Sequence, residues 1–222
     1  MYNVLFKNKD IIIVEKFQGI AVQPDKSGEK SLIDVIKEEH GESCALCHRL
    51  DRNTGGIVVI ARNEKALNIV TDAIKNNKIR KYYKAVLCGR VADRFPESLK
   101  GKLITLKSWH FKDAKKSQVY IYDFQKKFSK EIITRFKTIS YDKHTDTSLI
   151  EALLVTGRTH QIRAQFSHYG YSVAGDGKYG RNSVNKKLPY KYQALWAYKI
   201  DFSGALRELG VPDVFVSEPS FK

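Results

Sequence analysis

The feature that most constrains this chain is its series of short β-branched and aromatic runs, each bounded by turn-forming residues. DIIIVEK (10–16), GGIVVIA (55–61), KYYKAVLCG (81–89), SQVYIYDF (117–124), ITRFKTISYD (133–142), TSLIEALLVT (147–156) and YQALWAYKIDF (192–202) have the length and composition of strands. GGIVVIA does not alternate, so it reads as a buried strand. IAVQP (20–24), after Phe-Gln-Gly, extends the first run into a strand, a turn and a second strand. KHTD between the runs at 133–142 and 147–156 predicts a hairpin. Helical periodicity is scarcer. Ser31 heads SLIDVIKEE with Leu32, Val35 and Ile36 on one face, and Asn63 heads a stretch with Leu67, Val70 and Ile74 on another. Thr159 is placed as the N-cap of a third helix with Ile162, Phe166 and Tyr169 as its apolar face and Gly170 at its end. The polar stretch GKYGRNSVNKKL (177–188) reads as loop. Strands outnumber the helices interspersed among them, which predicts an α+β fold on a mixed, mainly antiparallel sheet flanked by helices. No repeat, low-complexity tract or linker divides the sequence, so residues 1–222 read as a single domain.

Charge narrows the function. Lys and Arg number 39 against 24 Asp and Glu, a net charge of +15, while the hydrophobic fraction of 42% is enough for an ordinary core. So large a surplus repels itself in the compact state and calls for an anionic partner, nucleic acid first and anionic membrane second. The membrane reading is weak, because no long basic amphipathic helix and no apolar stretch of spanning length is evident. MYNVLFKNKDIIIVEK has its apolar runs broken by Lys and Asp and does not resemble a signal peptide. With three cysteines and no export signal, the cytoplasm is the expected compartment.

CALCHRLDRNTGG (44–56) carries two overlapping patterns. Its first half fits the C-x-x-C-H of covalent haem attachment. Export has no support here, and the only methionine, Met1, leaves the usual thioether ligand missing. A zinc site of Cys44, Cys47, His48 and Cys88 would have an unfamiliar spacing. The preferred reading makes Cys44 and Cys47 small buried apolar residues, and no metal is expected. In the second half, Asp51 lies between Arg49 and Arg52, just ahead of Thr54-Gly55-Gly56. Cations on both sides keep a carboxylate ionised, which suits a nucleophile or electrostatic stabiliser better than a general acid. A surface ion pair or a turn cap would explain the same residues. GRTHQIR (157–163) gathers Arg158, His160, Gln161 and Arg163 at a helix start, where anions are favoured, although a solvated basic helix end reads the same way. In RKYYKAV, alternation sets Tyr83 on the face of Lys81 and Ala85, as a core tyrosine or as one that stacks on a base.

Together these segments resemble a family. HRLDRNTGG (48–56) is similar to the HRLD-x-x-T-S/G-G signature of the RluA-type pseudouridine synthases, and residues 155–180 resemble their second signature, TGR-T/S-HQ-I/L-R followed by GD and YG. KYYKA (81–85) resembles the family's K-x-Y-x-A strand, IVEKFQGIAVQP (13–24) its N-terminal KPxG hairpin, and YQALWA (192–197) its late QALHA stretch. The motifs fall in the family's order along nearly the whole chain. Four positions depart from the pattern. Phe17 replaces Pro, Gly55 stands where Ser is common, Tyr171-Ser172 replaces His-Pro, and Trp196 replaces His.

The resemblance implies the pseudouridine synthase fold with a central basic cleft, isomerisation of uridine to pseudouridine in ribosomal or transfer RNA, and no cofactor. It makes Asp51 the catalytic aspartate, whether by attack at C1′, attack at C6 or assistance to a glycal intermediate. Arg163 becomes the basic partner of that aspartate. Tyr83 becomes the tyrosine against the target base, with a part in proton transfer, and Arg49 the arginine that helps move the nucleotide. Arg52, Arg158, His160, Gln161, Lys178 and Arg181 are expected to serve RNA binding, with a basic trough around Asp51 lined partly by Arg158, Lys178 and Arg181. RNA is the expected partner, with no membrane and no obligate protein partner. A monomer is expected, without the separate N-terminal RNA-binding domain of some relatives. Two other readings are a non-catalytic RNA-binding protein that keeps the fold, and a methyltransferase, for which KFQGIAVQ is a poor cofactor turn.

Overall fold

The computed structural model describes residues 1–221. Its contacts divide them into two compact units, Met1–Lys81 with Trp196–Ser220 (unit 1) and Tyr82–Leu195 with Phe221 (unit 2).

Unit 1 opens with β1 (Tyr2–Lys7) and β2 (Ile11–Lys16), an antiparallel pair turned by Asn8, whose side-chain carbonyl accepts from the N–H groups of Asp10 and Ile11. IAVQP does not form the expected second strand. The Ala21 and Val22 carbonyls accept from Leu32 and Ile33 at the start of α1 (Leu32–His40), so their backbone is committed to a helix and not to a ladder. These residues are apolar because they are buried. Ser31 heads α1 as expected, and the Asp34 carboxylate accepts from both its N–H and its hydroxyl, which holds that carboxyl below its usual range.

A two-residue strand, β3 (Ala45–Leu46), and β2 flank β4 (Gly55–Ala61), which is buried throughout. Its Ile57, Val58, Val59 and Ile60 are almost wholly shielded, each worth about 1.5–3 kcal/mol of transfer free energy. Asn63 caps α2 (Glu64–Lys75) by accepting the Ala66 N–H. The most buried ridge of α2 is Ala66, Val70 and Ala73, with Leu67 and Ile74 at its margin, so small residues let the helix lie close to Ile11, Ile13, Ile57 and Val59.

Unit 2 begins within β5 (Arg80–Cys88), where Tyr83 and Ala85 are buried. After the short α3 (Pro96–Leu99) come β6 (Ile104–Asp113), β7 (Gln118–Tyr122), β8 (Lys130–Asp142) and β9 (Thr147–Leu154), laid side by side in the order β9, β8, β6, β7 with each adjacent pair antiparallel, and β9 lies beside β5. KHTD closes the expected hairpin, with Asp142 opposite Thr147.

α4 (Gln161–His168) begins one residue later than expected. Its N-cap is His160 in a left-handed conformation, φ 53°. Thr159 instead gives its carbonyl to His110, and the Gln161 side chain accepts the Arg158 N–H, so side-chain bonds to the loop replace a threonine cap. Phe166 packs edge-on against Phe136 and Tyr169 against Phe95, Ile162 is also buried, and Gly170 follows at positive φ. The stretch read as loop at 177–188 contains α5 (Asn182–Asn185), a single turn.

The chain returns to unit 1 through β10 (Leu195–Asp201), parallel to β4, and β11 (Val214–Val216), antiparallel to β10.

Candidate functional site

Asp51 sits in unit 1, half-buried, in the turn that leads into β4, where the Thr54 N–H donates to its carbonyl. Two side chains hold the main chain of this turn. Lys16 ends β2 fully buried, and its Nζ donates to the carbonyls of Phe17, Ile20 and Arg52 at 2.9, 2.9 and 3.0 Å. Burial pushes the Lys16 ammonium down to about 7, against the pull of the nearby Asp51 carboxylate, while the Arg52 cation lowers it further. Gln18 Nε2 donates to the Asn53 carbonyl at 3.0 Å. The Arg52 guanidinium, expected on RNA, is spent within the protein: it grips Asp25 at 2.8 Å and Glu29 at 2.5 Å, and it also donates to Ser27 and the Gly19 carbonyl. Hydrogen bonds from Arg52 and Ser27 hold the Asp25 carboxyl down at about 2. Arg49 is exposed.

Both glycines of the TGG turn are required sterically. A side chain at Gly55 would meet the Trp196 ring at 2.0 Å, and one at Gly56, φ 110°, would meet the Ala197 carbonyl oxygen at 2.3 Å. Two departures from the family pattern therefore fit each other, since Gly55 leaves room for the larger Trp196. The indole donates to Ser217 Oγ at 2.9 Å, and Ser217 donates on to Glu15 at 2.6 Å.

The CALCH half of the motif is packing. Cys44 and Cys47 are buried, as the small-apolar reading has it, and burial pushes the Cys47 thiol up to about 12. His48 Nε2 accepts the Val59 N–H at 3.1 Å, and desolvation, aided by the Lys81 cation, lowers its pKa to about 3. Its imidazole is neutral, with that nitrogen already engaged.

Unit 2 carries Tyr83, Arg158, His160, Gln161, Arg163, Lys178 and Arg181. Arg163, 8% exposed, forms a bidentate pair with the fully buried Asp176, Nε at 2.7 Å and Nη2 at 3.0 Å. Burial raises the Asp176 carboxyl, but Arg163 and the N–H groups of Lys178 and Tyr179 outweigh it and hold the carboxyl below its usual range. The guanidinium lies 5.3 Å from the Tyr179 ring centre, and the Tyr179 hydroxyl is 2.8 Å from His160 Nδ1.

Gln161 is fully engaged inside the protein. Its carbonyl accepts from Arg158 N–H and Thr156, and its amide donates to the Ile133 carbonyl and Thr134. It shapes the loop and has no group left for RNA. Arg158 and Arg181 are exposed and line different pockets of the unit. Arg158 shares one with His110, Phe111, Lys112 and Phe128, and Arg181 another with Cys88, Asp146 and Lys187. Lys178 is exposed and donates to the Ser117 carbonyl.

Lys16 and Asp176 were not among the expected site residues. Both lie inside quoted motifs, at the end of IVEK and in the GD pair, so the signal was there without a residue assigned to it.

Comparison with known proteins gives the fold first. A human protein, RNA Pseudouridylate Synthase Domain Containing 1, superposes with a TM-score of 0.77 at 19% identity, covering 100% of this chain and 85% of that one. Human RNA Pseudouridylate Synthase Domain Containing 4 gives 0.72 at 19% identity, covering 99% and 89%. A family model for RNA pseudouridylate synthase matches residues 10–168, and the chain belongs to that family. Among curated relatives, an uncharacterized RNA pseudouridine synthase of Mycoplasma genitalium is 34% identical over 217 residues, 90% of this chain and 62% of the relative. The tRNA pseudouridine(31) synthase of Saccharomyces cerevisiae is 30% identical over 193 residues, 80% of this chain and 46% of the relative. The chain thus spans less than two thirds of the length of either.

Proposed function

We propose that this chain isomerises uridine to pseudouridine in RNA, with Asp51 as the essential carboxylate. The observation that carries the reading is the HRLDRNTGG turn itself, an aspartate in the family's signature on a loop tied down by Lys16 and Gln18. In the reaction the N1–C1′ bond breaks, the uracil turns, C5 bonds to C1′, the hydrogen on C5 leaves as a proton, and N1 takes up a proton in its place. A uridine within a helix must first leave its stack, at a cost of roughly a few kcal/mol that phosphate contacts offset. Arg163 is assigned to the aspartate, Tyr83 to the target base, and Arg49, Arg158, Lys178 and Arg181 to the RNA. His160 is assigned to site architecture through Tyr179. Ribosomal or transfer RNA as the substrate fits the +15 charge, and the reading takes the enzyme as a cytoplasmic monomer that works without cofactor or metal. No helix among the described residues is long and apolar enough to cross a membrane.

The test is tritium release from RNA labelled at C5 of uridine, using RNA from cells that lack the protein. The wild type releases tritium and Asp51→Asn does not. Absence of release from both ribosomal and transfer fractions would sink the catalytic reading in favour of RNA binding alone.

A further inference from the structure

The hairpin of β6 and β7 lies between the two long signatures and belongs to neither. Its two faces differ. On β6 the side chains of Leu106, Ser108 and His110 turn inward, and Gln165 of α4 donates to Ser108 and to the Leu106 carbonyl. The alternate residues, Trp109 and Phe111, face away from α4. In the ladder Trp109 is opposite Tyr122 and Phe111 opposite Tyr120, so four aromatic rings share the outward face. Phe111 and Tyr120 are stacked, 6.4 Å apart and 26° from parallel. Beyond β7, which ends the strand order, Phe124 and Phe128 are 64% and 78% exposed.

Residues 110–130 supply six lysines (112, 115, 116, 126, 127, 130) against two aspartates (113, 123), a local surplus of +4. Asp123 is paired with His168, while none of the six lysines pairs with a carboxylate among the described residues. Lys126 instead sits 4.6 Å from the Tyr122 ring centre and 5.3 Å from that of Phe124, and Lys127 sits 5.3 Å from that of Phe128. At one end a pocket of about 350 Å³ is lined by Phe111, Phe128, Lys112, Lys130 and Arg158.

Exposed rings with unpaired cations between them are an unfavourable surface for a protein in water. They complement one ligand class that is flat, apolar and strongly anionic at a short repeat, which is unpaired nucleotides. We infer that the outward face of β6–β7, with the 123–130 connection, is a docking platform for single-stranded RNA: bases stack on Tyr120, Tyr122 and Phe128, and phosphates meet Lys112, Lys126, Lys127 and Lys130. The inference rests on the RNA-modifying reading and adds to it a preference for substrates with an unpaired segment beside the target.

The experiment is fluorescence anisotropy with a labelled single-stranded uridine dodecamer, a duplex RNA of equal length and heparin as a polyanion without bases. Tyr120→Ala and Phe128→Ala each weaken dodecamer binding about fivefold or more and leave heparin binding unchanged, while Tyr120→Phe restores the wild-type value. The triple variant Lys126→Ala, Lys127→Ala, Lys130→Ala lowers the slope of log affinity against log salt by about 2, at about 0.7 per single-strand phosphate. Wild-type dodecamer affinity in the aromatic variants, equal loss towards heparin, tighter binding of duplex, or binding to phosphatidylserine vesicles in place of the dodecamer would each overturn the platform. Tritium release separates the two readings. Release with ring-independent binding removes the platform and keeps the isomerase. Ring-dependent binding without release from any RNA does the reverse.

Discussion

The two units hold their candidate groups in opposite ways. Unit 1 fixes the Asp51 turn through its main chain: Lys16 and Gln18 bond to the Arg52 and Asn53 carbonyls, above strands whose apolar side chains are shielded on both faces. Unit 2 fixes Arg163 through side chains. Asp176 takes two of its N–H groups, and Gln161, Arg163 and Gln165 are all buried polar positions on one short helix. A main-chain clamp tolerates change in the residues it holds, because the bonds are to carbonyls that every residue has. A side-chain network does not, because each member satisfies the next.

The difference is open to direct attack. Asp176→Asn should be the most damaging for stability. It leaves the Arg163 charge without its bidentate carboxylate in a buried site, and urea unfolding should show a loss of about 3–5 kcal/mol. A loss under about 1 kcal/mol would mean the network is not what holds unit 2. In unit 1, Gly55→Ser should cost about 1–3 kcal/mol by forcing the Trp196 ring aside. Trp196→His in the same chain should recover at least about 1 kcal/mol of it, read from a double-mutant cycle; strict additivity would break the pairing of these two positions.

Lys16→Met leaves three carbonyls without their donor, for a loss of about 1–2 kcal/mol at pH 7. Its pH dependence is more telling. Burial sets the folded pKa near 7, below that of the unfolded chain, so from pH 7 to about 10 the unfolded state binds more protons and stability rises with pH. Below pH 7 lysine is charged in both states and contributes no slope. The variant should therefore lose a rise of at most about 1.4 kcal/mol per pH unit across that window, and parallel curves for the two proteins would refute the assignment. The smallest effect is expected from Arg52→Ala, since its partners Asp25 and Glu29 are largely in solvent. It should barely move the unfolding midpoint or the affinity for RNA.

These contrasts also mark what could be read from residues alone. Strands made of apolar runs were legible, because shielding on both faces leaves a continuous β-branched signature, as in GGIVVIA. β6 was not, since its inward face is Leu106, Ser108 and His110, and two of those three bury polar groups by bonding them to α4 and its approach. β1 and β11 are short and largely exposed, and so carry little pattern. IAVQP failed in the opposite sense, being apolar because it is buried beneath a helix start. At the site, the signatures pointed to the family, but they did not distinguish residues free to meet RNA from residues consumed in building the loop. Arg52 and Gln161 belong to the second kind, and only their partners reveal it.

Unit 1 is made from two distant stretches of chain, and its apolar cluster joins Ile11 and Val59 to Ile200, Phe202 and Leu206. A ribosome adding about 5–20 residues per second needs roughly ten seconds to pass from Lys81 to Trp196. Through that interval the Gly55–Gly56 end of β4 has no parallel neighbour, and a strongly apolar edge stands open to any other strand. The nascent chain is therefore most vulnerable to mispairing and to chaperone capture between the emergence of the aspartate turn and the arrival of the strand that closes over it.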